Sequence, residues 1–253
     1  MKYFFFDFDG TLAVGKTRVI PESNMDALRR LKEKGHSLAI ATGRLQADAM
    51  QICRQLEIGN LVSDGGNGVT IDWQLLDLLP LHRQHSIELL KELDEKGFSW
   101  AVTIENSCIR YTRSMDFIRD VADDYMETTV RPDLDYEDIP QFIKIYIGCR
   151  MEQEKEIRSL ACLPVVRYSS RCLFIEPDDK SVGIKRMMDH LNAPYKDVVV
   201  FGDGTNDLKM FNGEWTSIAM GNAWAELKSK ADFVTRDADD NGIEYACKHF
   251  EWL

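Results

Sequence analysis

Two short apolar segments of this chain each run directly into a turn that contains glycine and aspartate. Residues 3–6 are followed by Asp7-Phe8-Asp9-Gly10-Thr11, and residues 198–201 are followed by Gly202-Asp203-Gly204-Thr205-Asn206-Asp207. Continuous apolar runs of this kind are typical of strands buried on both faces in a parallel sheet. Because ligand sites in open parallel sheets lie beyond the carboxyl ends of the strands, we expect both acidic turns at one edge.

Strand and helix patterns alternate around these two turns. The predicted elements before residue 80 are a helix that begins near Pro21 and Ser23 and ends at Gly35, a strand at 37–41, a helix at 46–56 and a strand at 61–63. Those after residue 179 are helices at 182–191, 223–229 and 240–249 and strands at 217–220 and 232–234. This alternation implies right-handed crossovers. The predicted fold class is α/β, with a doubly wound, Rossmann-like parallel-sheet core.

The middle of the chain breaks the alternation. The predicted elements there are helices at 85–96, 115–124 and 152–160, a hairpin of 99–104 with 108–112, a strand at 142–147 and a strand pair at 165–168 and 172–175. This order is typical of an α+β domain. We therefore predict an inserted domain at 81–178 that divides the core into 1–80 and 179–253.

Charge and cysteine usage narrow the classes of function. The net charge of −11 argues against nucleic acid or an anionic membrane as the partner, since both require basic surface. The six cysteines form no Cys-x-x-Cys pair and no Cys/His spacing of a zinc site, which predicts free, buried thiols in a reducing compartment. We find neither a signal-peptide core nor an apolar run long enough to span a bilayer, and we expect a soluble, cytoplasmic protein.

The two turns bring four carboxylates together: Asp7, Asp9, Asp203 and Asp207. Carboxylates within a few ångströms repel one another strongly, and a hard divalent cation among them relieves that repulsion. One Asp-x-Asp-Gly run alone is often a helix cap or a turn. Two acidic turns, each after an apolar strand, favour a magnesium site that also takes phosphate.

Two further sequence features are weak indications of a phosphate site alone, but stronger ones beside the four aspartates. Thr42-Gly43-Arg44 follows the predicted strand at 37–41, where a hydroxyl and a free amide can hold phosphate oxygens. Alone, Thr42 could equally be a helix N-cap. Lys180 opens a helix just after the predicted insertion, where an ammonium could lie beside phosphate and the aspartates, although a single lysine is more often a solvated side chain.

These segments resemble a known family. The runs at 7–11, 41–44 and 202–207, with Lys180, are similar in order and spread to the four motifs of the haloacid dehalogenase-like hydrolases, over nearly the whole chain. The insertion resembles the type IIB cap of Cof-type phosphatases, and the runs at 219–223 and 240–243 resemble Cof-type endings. The third motif departs from the pattern, since Ser181 replaces the common glycine, so Lys185 is the alternative for the lysine role.

The resemblance implies a mechanism. Asp7 would be the nucleophile that forms an aspartyl-phosphate, and Asp9 would be the acid and base. Mg²⁺ would be bound by Asp7, the main-chain carbonyl of Asp9 and Asp203, with Asp207 beside it. The phosphate-binding residues would be Thr42, Gly43, Lys180 and Asn206.

Other polar and aromatic residues are weaker candidates. Arg44, Asn106 or Arg110 could read the leaving group, which the cap is expected to enclose. His82 and His85, three residues apart, could bind a metal, but a surface helix explains them as well. We interpret the scattered tryptophans as packing residues.

Three functions remain open at this stage. A Mg²⁺-dependent phosphatase for a small phosphorylated metabolite, such as a sugar phosphate or a phosphorylated cofactor precursor, fits best. A phosphomutase could use the same core, and Asp9 fits both enzymes, whereas a transport ATPase of this superfamily would have threonine there and membrane spans. A non-catalytic phosphate- or metal-binding regulator, similar to a response-regulator receiver, would leave the insertion unexplained. The sequence leaves the substrate and the oligomeric state open.

Overall fold

The computed structural model describes residues 1–15, 17–124 and 126–253, and these divide into two compact units. The first comprises Met1–Arg44, Ala49–Leu78 and Asp179–Leu253, and the second Leu45–Asp48 and Leu79–Asp178. Among the described residues, no helix combines the length and the apolar character that crossing a membrane requires.

The first unit contains an eight-stranded sheet in the order β14-β13-β12-β1-β2-β3-β4-β5. Its strands are β1 (Tyr3–Phe6), β2 (Ser37–Ala41), β3 (Asn60–Ser63), β4 (Gly68–Ile71), β5 (Gln74–Leu78), β12 (Val198–Gly202), β13 (Thr216–Ala219) and β14 (Phe233–Val234). The six strands from β14 to β3 pair in parallel, while β4 and β5 form an antiparallel hairpin at one edge. The predicted α/β fold class is confirmed.

Five helices belong to the segments that build this sheet: α1 (Glu22–Glu33), α2 (Gln46–Leu56), α5 (Lys180–His190), α6 (Ala225–Lys230) and α7 (Gly242–His249). On α1, the buried positions Asn24, Ala27, Leu28 and Leu31 form one helical stripe. Met25 lies outside that stripe and is 37% exposed. Helix α5 begins at Lys180, where the Asp179 side chain caps it by accepting from the Ser181 N–H.

The core of the first unit is centred on β1, which lies between β2 and β12. Phe4, Phe5 and Phe6 are all buried, and the ring of Phe6 lies 5.0 Å from that of Phe201, its register partner on β12. A strand with neighbours on both sides and helices on both faces must be apolar throughout, which explains the uninterrupted aromatic run.

The second unit contains a six-stranded sheet in the order β10-β11-β9-β6-β7-β8. Its elements are α3 (Arg83–Lys96), β6 (Ser99–Thr103), β7 (Ile109–Thr112), α4 (Met115–Val121), β8 (Glu127–Val130), β9 (Lys144–Gly148), β10 (Val165–Val166) and β11 (Cys172–Ile175). The pairing is antiparallel except between β7 and β8, which are joined through α4. This unit is the predicted α+β insertion.

Two parts of the prediction for the insertion are wrong in detail. The predicted helix at 152–160 is two short 3₁₀ segments, Met151–Glu156 and Arg158–Cys162. Ile157 between them is extended and buried, and the next two N–H groups donate to the Glu92 carboxylate instead of continuing a helix. Strand β8 forms between the helix predicted at 115–124 and the strand predicted at 142–147, where no element was predicted.

The β4–β5 hairpin was also missed. Its turn residues Asp72 and Trp73 both have positive φ, at 47° and 70°, the conformation that Asn-Gly usually supplies in such turns. A turn built from these residue types carries little sequence signal.

Two predictions about side-chain burial need correction. Trp100 and Trp215 are core residues, but Trp73 and Trp224 are 48% and 66% exposed. The cysteines were all expected to be buried, but Cys108 is half-buried and Cys162 is exposed.

Phe4→Ala should destabilise the protein without touching the acidic turns. The Phe4 ring is fully buried, with Trp252 at 5.1 Å and His36 at 5.3 Å between ring centroids. Truncating such a side chain leaves a cavity and costs about 3–5 kcal/mol in the free energy of unfolding. Urea denaturation followed by circular dichroism measures the loss. The matched control Val19→Ala, at a 62% exposed position, should change it by less than about 0.5 kcal/mol. Equal effects of the two changes would contradict the described core.

Candidate functional site

The pairing of β1 with β12 brings the two acidic turns together. Phe6 is in register with Phe201, and the Asp7 N–H donates to the Phe201 carbonyl at 3.0 Å. The two strands therefore end side by side, and the turns that follow them begin next to each other. Asp7, Asp203 and Asp207 each place one carboxylate oxygen within 4.8 Å of the others. Asp9 is not part of that group of three.

Lys180 lies inside this carboxylate cluster. Its Nζ donates to Asp7 Oδ1 and to Asp207 Oδ1, both at 2.6 Å, and its side chain is only 1% exposed. As the first residue of α5, it enters the site from the amino end of a helix. Lys185, the alternative, instead pairs with Glu214 at the surface.

Negative charge exceeds positive charge in the cluster. Burial, followed by the charge of Asp207, raises the pKa of the Asp7 carboxyl well above its usual range, although Lys180 opposes the shift. Burial and Asp207 likewise raise the pKa of Asp203 to about 6. The pKa of Lys180 is also raised, because the attraction of Asp207 and Asp7 outweighs the burial of its ammonium group. Three carboxylates around one ammonium are an environment that suits a hard divalent cation with oxygen ligands.

Asp207 organises the second turn. It is fully buried, and its Oδ2 accepts from the main-chain N–H groups of Asp203 and Gly204, both at 3.0 Å, while its Oδ1 accepts from Lys180. Its carboxylate therefore holds the turn that carries Asp203 and also orients the lysine.

The first turn is packed tightly against the second. Gly10 has φ of +89°, and a Cβ on it would lie 2.2 Å from Asp203 Oδ2. Only glycine fits there, for reasons of both conformation and space. Thr11 Oγ1 donates to Asp203 Oδ1 at 3.1 Å, a contact that the sequence analysis did not assign although Thr11 stands in the motif.

Asp9 and Arg44 form a two-bond ion pair beside the cluster. Arg44 Nε donates to Asp9 Oδ2 and Nη2 to Asp9 Oδ1, both at 2.8 Å. This planar fork geometry orients a carboxylate more firmly than a lysine would. Arg44, one of the residues predicted to contact the leaving group, thus binds Asp9, the predicted acid and base.

The remaining predicted phosphate-binding residues lie on neighbouring turns. Thr42 is buried just after β2, and its Oγ1 accepts from the Arg44 N–H at 3.2 Å. Gly43 is half-buried beside it, and Asn206 is half-buried in the 3₁₀ turn Thr205–Met210. Thr42 does not cap α2, which begins only at Gln46.

The weaker candidates in the second unit have structural contacts. Arg110 is buried, donates to Thr128 Oγ1 at 2.7 Å and pairs with Asp123, which occupies its guanidinium within the unit. His82 is the N-cap of α3, where its Nδ1 accepts from the His85 N–H at 3.3 Å. In the part of the chain that the structure describes, the group at Asp7, Asp203 and Asp207 is the one cluster suited to a metal ion.

Comparison with known proteins identifies the class. The chain matches the haloacid dehalogenase-like hydrolase family over residues 4–246, and it belongs to that family. It is a hydrolase of phosphoric monoesters whose core is α/β and carries an inserted cap, and members of this superfamily normally use a divalent metal.

Individual relatives share its full length. It is 33% identical to YkrA, a candidate phosphatase of Bacillus subtilis (strain 168), over 100% of this chain and 98% of that protein. It is 24% identical to the 5-amino-6-(5-phospho-D-ribitylamino)uracil phosphatase YwtE of the same organism, over 97% of this chain and 96% of the relative. The structure of the subclass IIB sugar phosphatase BT4131 superposes with a TM-score of 0.80 at 25% identity, over 100% of both chains.

The pKa of Asp203 predicts how the stability of the metal-free protein depends on pH. The Asp203 carboxyl has a pKa of about 6 in the folded state and an ordinary pKa of 3.8 in the unfolded state. The folded state therefore binds this proton more tightly than the unfolded state does. The stabilisation from that proton is complete below about pH 4 and is lost as the pH rises through about 6, a change of about 3 kcal/mol in the free energy of unfolding.

Urea unfolding in chelator at pH 4.5 and pH 7.5 measures this loss, with Asp203→Asn as the matched variant that lacks the titrating group. We expect the wild type to lose more stability than the variant over this interval. A wild type that becomes more stable relative to Asp203→Asn as the pH rises would contradict the assignment.

Proposed function

We propose that this protein hydrolyses phosphate monoesters of small metabolites with the Asp7 carboxylate as the nucleophile. The observation that carries the proposal is the burial of Asp7 beside Lys180, at the carboxyl end of β1, with Asp203 and Asp207 around it. A lysine and a carboxylate at 2.6 Å give the nucleophile a fixed orientation and supply positive charge where a phosphoryl group would bind.

The reaction would take two steps. In the first, an Asp7 oxygen attacks phosphorus, the ester P–O bond breaks, and Asp9 donates a proton to the departing oxygen of the substrate. In the second, water attacks the phosphorus of the aspartyl-phosphate while Asp9 accepts a proton from it. The P–O bond to Asp7 then breaks, which releases phosphate and restores the carboxylate.

Positive charge and polar donors around the phosphoryl group would lower both barriers. We assign Lys180, Thr42, the Gly43 amide and Asn206 to the phosphoryl oxygens. We assign Mg²⁺ to the carboxylates of Asp7 and Asp203 and the Asp9 carbonyl, with Asp207 beside them; when bound, it would neutralise charge on the carboxylates and the phosphoryl group.

The relatives suggest the class of substrate. YwtE is named for a phosphorylated ribityl compound, and BT4131 for sugar phosphates, so both act on phosphate esters of polyhydroxylated carbon chains. We therefore propose a sugar phosphate or a phosphorylated cofactor precursor as the substrate. A screen of such esters for phosphate release would test this, and a requirement for a bisphosphorylated activator would point to a phosphomutase instead.

Asp7→Asn should abolish turnover while the fold stays intact. The amide is nearly isosteric with the carboxylate but is not a nucleophile, so we expect kcat to fall by a factor of about 10⁴ or more. Phosphate release from the best ester of the screen measures kcat, and circular dichroism checks the fold. Asp26→Asn, an exposed carboxylate on α1, is the control and should keep full activity. A purified Asp7→Asn protein with more than a few per cent of wild-type turnover would refute the assignment of the nucleophile.

Removal of divalent cations should stop the reaction reversibly. Without a cation, the carboxylate cluster repels a phosphate dianion, so we expect activity in chelator to drop by a factor of at least about 10². Added Mg²⁺ should restore the rate, whereas Ca²⁺, with its longer and less regular coordination, should restore it poorly. Full activity after exhaustive chelation would rule out the metal-dependent mechanism.

A further inference from the structure

Two asparagines connect the first acidic turn to a single residue near the carboxyl terminus. Asn222 Nδ2 donates to the Gly10 carbonyl at 2.8 Å, and Asn222 Oδ1 accepts from the Ala238 N–H at 2.9 Å. Asn24 Nδ2 donates to the carbonyls of Leu12 at 3.0 Å and Ala238 at 3.1 Å. The N–H and the C=O of Ala238 are thus each bonded to an asparagine that also holds the turn.

The Gly10 contact lies at the point where the turn is most able to change conformation. Gly10 has φ of +89°, and a glycine backbone moves readily among several conformations when nothing holds it. On its amino side, the Gly10 N–H donates to the Ala13 carbonyl at 2.9 Å. On its carbonyl side, Asn222 supplies the bond, so the two contacts together hold the peptide groups on both sides of Gly10.

The two asparagines differ in burial. Asn24 is 0% exposed, whereas Asn222 is exposed. A buried polar side chain with these bonds contributes to the fold itself, and its loss would leave backbone carbonyls unpaired. Removal of an exposed side chain creates no cavity, so Asn222 has little packing value. Its effect on the turn can therefore be separated from an effect on folding.

We propose that Asn222 is a positioning residue for the phosphatase reaction: its amide holds the Gly10 carbonyl and thereby keeps the Asp7–Asp9 turn in its reactive placement against Asp203. The inference rests on the proposed function. Asp7 and Asp9 act as the phosphoryl group is transferred, so a misplaced turn raises the barrier of that step more than it weakens substrate binding. The signature is a fall in kcat with little change in KM.

Asn222→Ala tests this against a matched control. Asn60, at the start of β3, also donates to a main-chain carbonyl, that of Leu38 at 3.2 Å, and accepts from a main-chain N–H, that of Asp72 at 3.0 Å. It lies at the opposite end of the parallel strands from the acidic turns. Asn60→Ala therefore removes the same kinds of bond without touching the site.

We expect Asn222→Ala to lower kcat by about 10- to 100-fold with KM within about twofold of wild type, measured with saturating Mg²⁺. Asn60→Ala should keep the wild-type kcat. Amide hydrogen exchange supplies a readout that does not depend on turnover: the peptide covering residues 8–13 should exchange about tenfold faster in Asn222→Ala than in either other protein.

The outcomes separate the inference from the proposed function. A wild type without phosphatase activity in the ester screen would refute the proposed function and the positioning role with it. An active wild type whose Asn222→Ala variant keeps its kcat would overturn the inference alone. A lower kcat with unchanged exchange at residues 8–13 would also overturn it, because Asn222 would then act by contact with the substrate.

Discussion

The structure depends on three carboxylates, two of them buried and one half-buried, held around one buried ammonium. Asp7, Asp203 and Asp207 lie at the ends of two adjacent strands, and Lys180 binds two of them directly. Such a cluster lowers the stability of the folded protein, because burial of the carboxylates and their mutual repulsion oppose ionisation. The large aromatic core beneath it, built on β1 and β12, compensates for that cost. The excess negative charge of the three carboxylates over the single ammonium can then attract a cation, which in turn can bind a phosphoryl group.

Different residues around the cluster hold the two acidic turns. Asp207 is committed to Lys180 and to main-chain amides, so its role is to shape the second turn. Arg44 orients Asp9 by a fork of two bonds, outside the group of three carboxylates. The groups proposed for nucleophilic attack and for proton transfer are therefore held by separate partners, so each can be placed without disturbing the other.

The core fold was predictable from sequence because its signals are local. The apolar strands before Asp7 and Asp203, and the alternation around them, indicated the parallel sheet and the meeting of the two turns. The Asp9–Arg44 pair and the Thr11–Asp203 contact were not predictable, because they join residues whose distance depends on the three-dimensional path of the chain. The β4–β5 hairpin was not predicted because its turn is formed by non-glycine residues with positive φ. The break in the helix near Ile157 was not predicted because main-chain N–H groups there donate to a carboxylate that is distant in sequence.

The central position of β1 has a consequence for biosynthesis. Its neighbour on one side, β2, follows within about 35 residues, but its neighbour on the other side, β12, lies almost 200 residues further along the chain. While the chain emerges from the ribosome, one edge of an all-aromatic strand stays unpaired until the residues of β12 have been made. The same delay keeps Asp7 away from Asp203 and Asp207, so the repulsive cluster assembles only after the strands on both sides of β1 have been made.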